Sequence, residues 1–140
     1  MTSFHPETPS KCPPRDAEPS SGIYCRFVFN NPPIPEDFLI WILEPVNKCE
    51  LQERKRKGDC RAFGVSLFAE EGVMRKAKLF QRSLKKRADK RGEGFLGVAQ
   101  VKLDKDVGVL KQTGRDWAHF DLWPYTHSKL ECRVISVKGI

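Results

Sequence analysis

Several side chains that can carry protons lie close together near the C-terminus, in the segment RDWAHFDLWPYTHSK at residues 115–129. The alternation of polar and apolar residues predicts a strand in which His119 and Asp121 share one face, so that the carboxylate can orient the imidazole. Cleavage of RNA without a metal requires a base for the 2′-hydroxyl, a proton donor for the leaving oxygen and a cation beside the phosphate. His119 and Tyr125 are therefore candidate catalytic residues. The alternative is a histidine that only forms a hydrogen bond at a sheet edge.

Three further residues follow an order that occurs in a known enzyme family. Arg26 lies on the first predicted strand, Ser66 on a buried strand before a helix, and Glu131 on the last strand. This order resembles the Arg, Ser, Glu series of the ADP-ribosyltransferases, and the resemblance implies NAD as a substrate. The Ser-Thr-Ser triplet of that family is absent around Ser66, and Lys129 stands where the family has a second acid. For a small toxin-like enzyme acting on RNA or NAD, the candidate catalytic residues are Arg26, Ser66, His119 and Tyr125.

Positive charge is concentrated in one part of the chain. The 140 residues include 25 Lys and Arg against 18 Asp and Glu, a net charge of +7. Residues 54–91 contain 14 basic and 4 acidic side chains, a net of +10, whereas the remainder contains 11 and 14, a net of −3. A local field of this kind attracts phosphate backbones, acidic protein surfaces or anionic membranes. The distribution therefore predicts an anionic partner without choosing its class.

Residues 70–91 predict a long amphipathic helix. At about 100° per residue, one side of this helix is an apolar stripe that is predicted to pack against the core. The stripe consists of Val73, Ala77, Phe80, Leu84 and Ala88. The opposite face is cationic, and the basic tetrad before it extends the same charge. The predicted nucleic-acid-binding residues are Arg75, Lys78, Arg82, Lys85 and Lys86 on the helix, with Arg54, Lys55, Arg56 and Lys57 in the tetrad. A solvated surface without a partner is the alternative for both groups, and a solvated loop is the usual state of such a tetrad.

RNA, DNA or a ribonucleoprotein is the leading predicted partner, because each phosphate that a cation neutralises releases counterions. An acidic protein is the alternative partner, and no membrane contact is predicted. Exposed aromatic side chains beside the cations would favour single strands through stacking. The aromatic candidates, each of which can instead be part of the core, are Tyr24, Trp117, Trp123 and Tyr125.

Residues 1–22 are expected to form a disordered tail, because five prolines and few apolar residues cannot offset the entropy of ordering. Residues 23–140 then form one domain. The five cysteines lack C-x-x-C spacing, so the sequence predicts neither a disulfide framework nor a metal site, and no cofactor is predicted. With no apolar run of spanning length and no signal pattern, a cytoplasmic protein is expected.

Alternating residues predict strands at residues 23–29, 60–68, 95–103, 107–112, 119–123 and 129–137. A short helix is predicted at residues 35–43, with a buried strand as the alternative. Most strands follow the helices, which favours an α+β fold. The expected architecture is a mainly antiparallel sheet of about five to six strands, packed by one long basic amphipathic helix and one short helix.

Overall fold

Within residues 3–90 and 94–140, which are the residues that the computed structural model describes, seven strands form one sheet in which every neighbouring pair is antiparallel. The spatial order is β1-β5-β6-β3-β2-β4-β7. The strands are β1 (Glu18–Pro19), β2 (Gly22–Val28), β3 (Val65–Phe68), β4 (Gly97–Leu103), β5 (Gly108–Gln112), β6 (His119–Pro124) and β7 (Val134–Gly139). The predicted α+β class is confirmed, and the sheet has seven strands rather than five to six because β1 adds a strand at its edge.

The predicted long helix is wrong as a single rod, because it is divided into α2 (Glu70–Leu79) and α3 (Gln81–Lys90). Phe80 lies between them with φ −105° and ψ 13°, outside the helical range. Each helix packs on its own apolar cluster. Val73 of α2 packs with Cys25, Phe68 and Val98.

α3 packs through Leu84 and Ala88 against Phe29. The predicted buried stripe therefore holds at four positions, while Phe80 is 46% exposed. Phe80, between the two helices, belongs to neither cluster of buried side chains. The face with Arg82, Lys85 and Lys86 remains on the outside of α3, where all three side chains are exposed.

The main core lies on the face of the sheet opposite to α2 and α3, where short 3-10 turns cover it. Its largest fully buried side chains include Trp123, Phe63, Ile42, Leu67 and Leu122. The short helix predicted at residues 35–43 is replaced by two 3-10 turns, Pro35–Phe38 and Trp41–Leu43. Leu39 and Ile40 between the turns are extended, which allows Ile40 and Ile42 both to reach the core.

The basic tetrad, for which a solvated loop was the leading alternative, lies instead in a third helix, α1 (Leu51–Lys57). The helix ends at Gly58, whose φ of 66° is left-handed and favours glycine over other residues. Two predicted strands also begin later than expected, since Cys60–Phe63 and Leu130–Arg133 form 3-10 turns before β3 and β7. Glu131 consequently lies in a turn and not on the last strand.

The N-terminal segment, for which the sequence predicts a disordered tail, makes specific contacts in its described part. Cys12 forms a disulfide with Cys60, with 5.3 Å between the two Cα atoms, although the cysteine pattern predicts no disulfide framework. β1 pairs with β5, and the ring of Phe4 lies 5.2 Å from that of Tyr125. The disulfide and the strand pairing hold this segment to the domain in addition to the small apolar surface that Phe4, Cys12 and Ala17 bury. Composition alone does not report these contacts.

In the part of the chain that the structure describes, no helix is long and apolar enough to cross a membrane. Nor do these residues contain a group of three His, Cys, Asp or Glu side chains placed to hold a metal ion. The disulfide of Cys12 with Cys60 does not favour a cytosolic location, because structural disulfides are uncommon in cytosolic proteins. The cytoplasmic location stays a prediction.

Candidate functional site

The outer face of α2 and α3 presents several exposed cations that have no acidic partner among the described residues. The side chains of Lys78, Arg82, Lys85 and Lys86 are all exposed, and none has a carboxylate within ion-pair distance among residues 3–90 and 94–140. On α3, Lys85 and Lys86 follow Arg82 by three and four positions, so the three side chains lie on one face of the helix. Residues with this spacing have their Cβ atoms about 5–6 Å apart. We call these four residues the free cationic face.

The N-terminal part of α2 differs, because an aspartate balances its cations. Asp116, in the loop between β5 and β6, accepts ion pairs from Lys76 and from Arg75, the latter at 3.3 Å. The hydrogen bond from Lys76 is the largest cause that lowers the pKa of Asp116. Arg75 was predicted to bind nucleic acid, and the structure places it against the protein's own carboxylate.

Two exposed aromatic rings border the helices. Trp117 is 56% exposed with the Arg75 guanidinium 5.9 Å from its ring centroid, and the Lys76 ammonium lies 5.6 Å from the centroid of Phe80. Leu79 beside Phe80 is 67% exposed. Of the four aromatic candidates, Trp117 is thus presented on the surface beside the helices.

The other aromatic candidates are occupied elsewhere. Trp123 is buried, and its indole N–H donates to the carbonyl of Cys60. Tyr24 packs edge-on against Phe120, with ring centroids 4.9 Å apart. Tyr125 lies between Phe4 and His127.

The cations of the tetrad on α1 are all paired with the protein's own acids. Arg54 contacts Glu50 and Asp59 at 2.9 and 2.7 Å, and its guanidinium lies 5.2 Å from the ring centroid of Trp41. Lys55 contacts Glu7 at 2.9 Å. Arg56 and Lys57 both contact Glu53, at 2.9 and 3.2 Å. Four carboxylates therefore face four cations, and the predicted extension of the cationic surface into the tetrad is electrically balanced.

A second candidate is a polar cluster centred on His119, on the first residue of β6. In the β3–β6 register Ser66 lies opposite Asp121, and Phe68 lies opposite His119. This register brings the imidazole Nε2 of His119 to 3.2 Å from the hydroxyl of Ser66. Two of the four candidate catalytic residues are therefore in contact, although 53 positions separate them in the chain.

Thr113 and Asp121 extend the cluster behind His119. The hydroxyl of Thr113 lies 2.9 Å from His119 Nδ1 and donates to Asp121 Oδ2 at 2.8 Å. Asp121 also accepts the Nε–H of Arg61 at 3.2 Å, so it acts as the acceptor toward both neighbours. The hydroxyl of Thr113 has one proton, which Asp121 takes, so its oxygen accepts from Nδ1–H of His119. The network thus assigns the tautomer with an unprotonated Nε2, which accepts from Ser66.

Burial lowers the pKa of His119 below its usual value. The negative charge of Asp121 opposes this shift, whereas the positive charge of Arg61 reinforces it. The imidazole is therefore neutral at pH 7, as a general base must be.

Ser66 is accessible from two clefts. One, of about 240 Å³, is lined by Ser66, Asp121, Arg61, Ala62, Trp41, Asp59 and Arg54. The other, also about 240 Å³, lies toward α3 and includes Phe80, Ser83 and Arg87. Ser66 thus contributes to the lining of both clefts.

Arg26 forms hydrogen bonds with the backbone around this cluster. Its Nε donates to the carbonyl of Asp37 at 2.6 Å, Nη1 to the carbonyl of Ser66 at 2.8 Å, and Nη2 to Glu44 at 3.2 Å. Burial is the largest cause that lowers its pKa, and Glu44 opposes it. The guanidinium therefore holds the backbone of Ser66 in place.

Tyr125 lies apart from the cluster, near the opposite end of β6. Six residues of strand separate it from His119, a distance of about 20 Å. Glu131, the third member of the series that resembles the ADP-ribosyltransferases, lies in the turn before β7 and lines neither cleft beside Ser66. The structure thus brings together Ser66 and His119 and leaves Tyr125 and Glu131 elsewhere.

Sequence reasoning missed Thr113 and Arg61, which complete the cluster. Thr113 lies in the turn segment TGRD and Arg61 in a segment that reads as a strand, so neither has a pattern that points to His119. The one available signal was Asp121, whose predicted position on the His119 face is confirmed by the register.

Comparison of the chain with protein-family models, with curated proteins and with solved structures found no match.

Proposed function

We propose that the protein binds single-stranded nucleic acid across the outer face of α2 and α3. The observation that carries this proposal is the free cationic face, whose four side chains are exposed and lack acidic partners among the described residues. An unpaired surface cation gains more from a phosphate than a paired one, because no internal ion pair has to be broken.

Exposed rings beside the cations favour a single strand over a duplex. Leu79 and Phe80 lie where α2 meets α3, between Lys78 and Arg82 in the chain. Bases stack on aromatic rings and guanidinium planes when they are not paired in a duplex. A cationic face with an exposed ring therefore suits the phosphates and bases of one strand. The tetrad of α1 is left out of the proposed surface because its charges are already balanced.

The test compares two double variants that remove the same charge. Lys85→Gln with Lys86→Gln removes two unpaired cations, whereas Lys55→Gln with Arg56→Gln removes two paired ones. Binding of a short fluorescent single-stranded oligonucleotide is measured by anisotropy over a series of salt concentrations. The α3 variant should lose about tenfold in affinity at low salt, and its plot of log affinity against log salt should be shallower by up to about two units.

The α1 variant should stay within about twofold of the unaltered protein, since its cations contribute little to binding. Equal losses in the two variants, or binding that does not depend on salt, would contradict the proposal. An acidic protein as the true partner would show as no oligonucleotide binding at any salt concentration.

A further inference from the structure

Ser66 and His119 form a pair that nucleic-acid binding does not use. They lie on the sheet, whereas the free cationic face lies on the outside of the helices. The hydroxyl of Ser66 donates to an unprotonated nitrogen at 3.2 Å, which is within the reach of a general base for its nucleophile. Serine is a weak nucleophile by itself and is activated by such a base.

The base is held in place by a chain of oriented groups. Thr113 accepts from His119 Nδ1–H at 2.9 Å and donates to Asp121 at 2.8 Å. Thr113 and Asp121 are both nearly inaccessible to solvent, with exposures of 8% and 2%. In a serine hydrolase triad a buried carboxylate bonds directly to the imidazole, fixes its tautomer and stabilises the imidazolium as it forms; here Asp121 acts on His119 through the hydroxyl of Thr113.

The cation of Arg61 lines the same cleft as Ser66. Its side chain is 55% exposed, and only its Nε–H is given to Asp121. Its remaining N–H groups can receive a negatively charged part of a substrate. Arg54 lines the cleft too, but Glu50 and Asp59 already accept its donors.

We propose that Ser66 and His119 form an acyl-transfer site that hydrolyses small carboxylic esters whose acyl part carries a negative charge. Ser66 Oγ attacks the ester carbonyl carbon while its proton moves to His119 Nε2. The bond from that carbon to the alcohol oxygen breaks, and His119 returns the proton to the departing alcohol. Water then gives a proton to His119 Nε2 and attacks the acyl carbon. The bond from that carbon to Ser66 Oγ breaks, His119 returns the proton to Ser66, and the carboxylic acid is released.

A fluorophosphonate probe tests the nucleophile directly, since it reacts covalently with an activated serine. The intact protein is treated with the probe, and the modified residue is located by peptide mass spectrometry. Ser83, on α3 at the cleft toward that helix, is the matched internal control because it has no histidine partner among the described residues. Labelling is expected at Ser66, unchanged in Ser83→Ala and absent in Ser66→Ala. Equal labelling of Ser66 and Ser83 would overturn the proposal.

The role of His119 is tested in the same assay. His119→Ala should slow the labelling by about 10²- to 10⁴-fold, the usual contribution of a general base. In the unaltered protein the rate should rise with pH to a plateau, with its midpoint below 6.5, because His119 must be neutral and burial lowers its pKa. Asp121, Arg61 and Asp116 are the charged groups that act on this titration. A rate that rises in proportion to hydroxide without a plateau would contradict the assignment, even if the variant fails to fold.

Thr113 and Arg61 are tested as positioning and specificity residues. Thr113→Ser keeps the hydroxyl and should retain the labelling rate, whereas Thr113→Val keeps the shape and should slow it at least tenfold. Hydrolysis of nitrophenyl hemisuccinate should be preferred over nitrophenyl acetate, and Arg61→Gln should raise KM for the charged ester alone. Equal labelling rates for Thr113→Ser and Thr113→Val would contradict the role of Thr113. No preference for the charged ester would contradict the role of Arg61. None of these outcomes depends on nucleic-acid binding, so the two proposals fail separately.

Discussion

Two basic regions of similar composition end in opposite electrostatic states. The tetrad of α1 has every cation matched by a carboxylate, from Glu7, Glu50, Glu53 or Asp59. The free cationic face of α2 and α3 has none matched among the described residues. The difference arises because two of the matching acids lie within one helical turn of their partners, and two more are brought by the turn after α1 and by the N-terminal segment.

The comparison shows that a run of lysines and arginines does not by itself define a binding surface. The field outside the protein depends on where the fold places its carboxylates, and this is a tertiary property. α3 contains a single acidic residue, Asp89, so its cations cannot be balanced from within the helix. The surface available to a phosphate backbone is therefore narrower than the distribution of charge along the chain suggests.

The largest expected effect concerns the packing that presents the free cationic face. Leu84 is 4% exposed, so Leu84→Ala should lower the free energy of unfolding by about 2–5 kcal/mol, the usual cost of this truncation in a core. Leu79→Ala is the matched control, because the same truncation at a 67% exposed side chain should change the value by less than about 0.5 kcal/mol. Urea denaturation measures both. Equal stability of the two variants would mean that α3 is not held against the sheet.

An intermediate effect on oligonucleotide binding is expected when the ion pairs of α2 with Asp116 are removed. Asp116→Asn releases Arg75 and Lys76, so binding to a single-stranded oligonucleotide should tighten and its salt dependence should steepen by up to about two units. Asp106→Asn, which makes the same charge change at the turn before β5, should leave both unchanged.

The same pair also predicts a dependence of stability on pH. Because Lys76 lowers the pKa of Asp116 in the folded protein, its contribution is present above the unfolded value of 3.8 and is lost as pH falls through the folded pKa. Acid denaturation of Asp116→Asn should therefore show less loss of stability in this range than the unaltered protein. An identical acid transition in the two proteins would contradict the pairing.

The smallest effect should come from α1. Glu53→Gln releases Arg56 and Lys57, and binding should tighten by no more than about twofold, because the proposed binding surface lies on α2 and α3 and does not include α1. Glu36→Gln makes the same charge change on a 3-10 turn without an acid–base partner among the described residues. A gain from Glu53→Gln as large as that from Asp116→Asn would remove the distinction between the two regions.

The sequence predicts those elements best whose pattern is local. The period of two located the strands near residues 22–28, 97–103 and 119–124, and the helical period located the buried side chains Val73, Ala77, Leu84 and Ala88. It did not predict the break at Phe80, since an aromatic residue fits the apolar stripe equally well. The two helices pack on different sets of buried side chains, Val73 with Cys25 and Leu84 with Phe29, which no single helical window contains.

The candidate site was predictable only in part. His119 and Asp121 are two residues apart on one strand, so their common face follows from the chain itself. The contact of His119 with Ser66 depends on the pairing of β3 with β6, and the contribution of Thr113 depends on the turn after β5. Arg26 shows the opposite case, because its residue type suggested chemistry, whereas burial commits its donors to the backbone and to Glu44.

The bond between Cys12 and Cys60 has a consequence for how the protein is handled. Cys60 begins the turn that carries Arg61 and Ala62 into the wall of the cleft, and Cys12 fastens the N-terminal segment to that turn. A thiol reagent in the buffer would reduce this bond and leave the N-terminal segment attached by non-covalent contacts alone. Preparations made with and without such a reagent are thus two chemical forms of one chain, and the oxidised form is the one whose cleft has the shape described above.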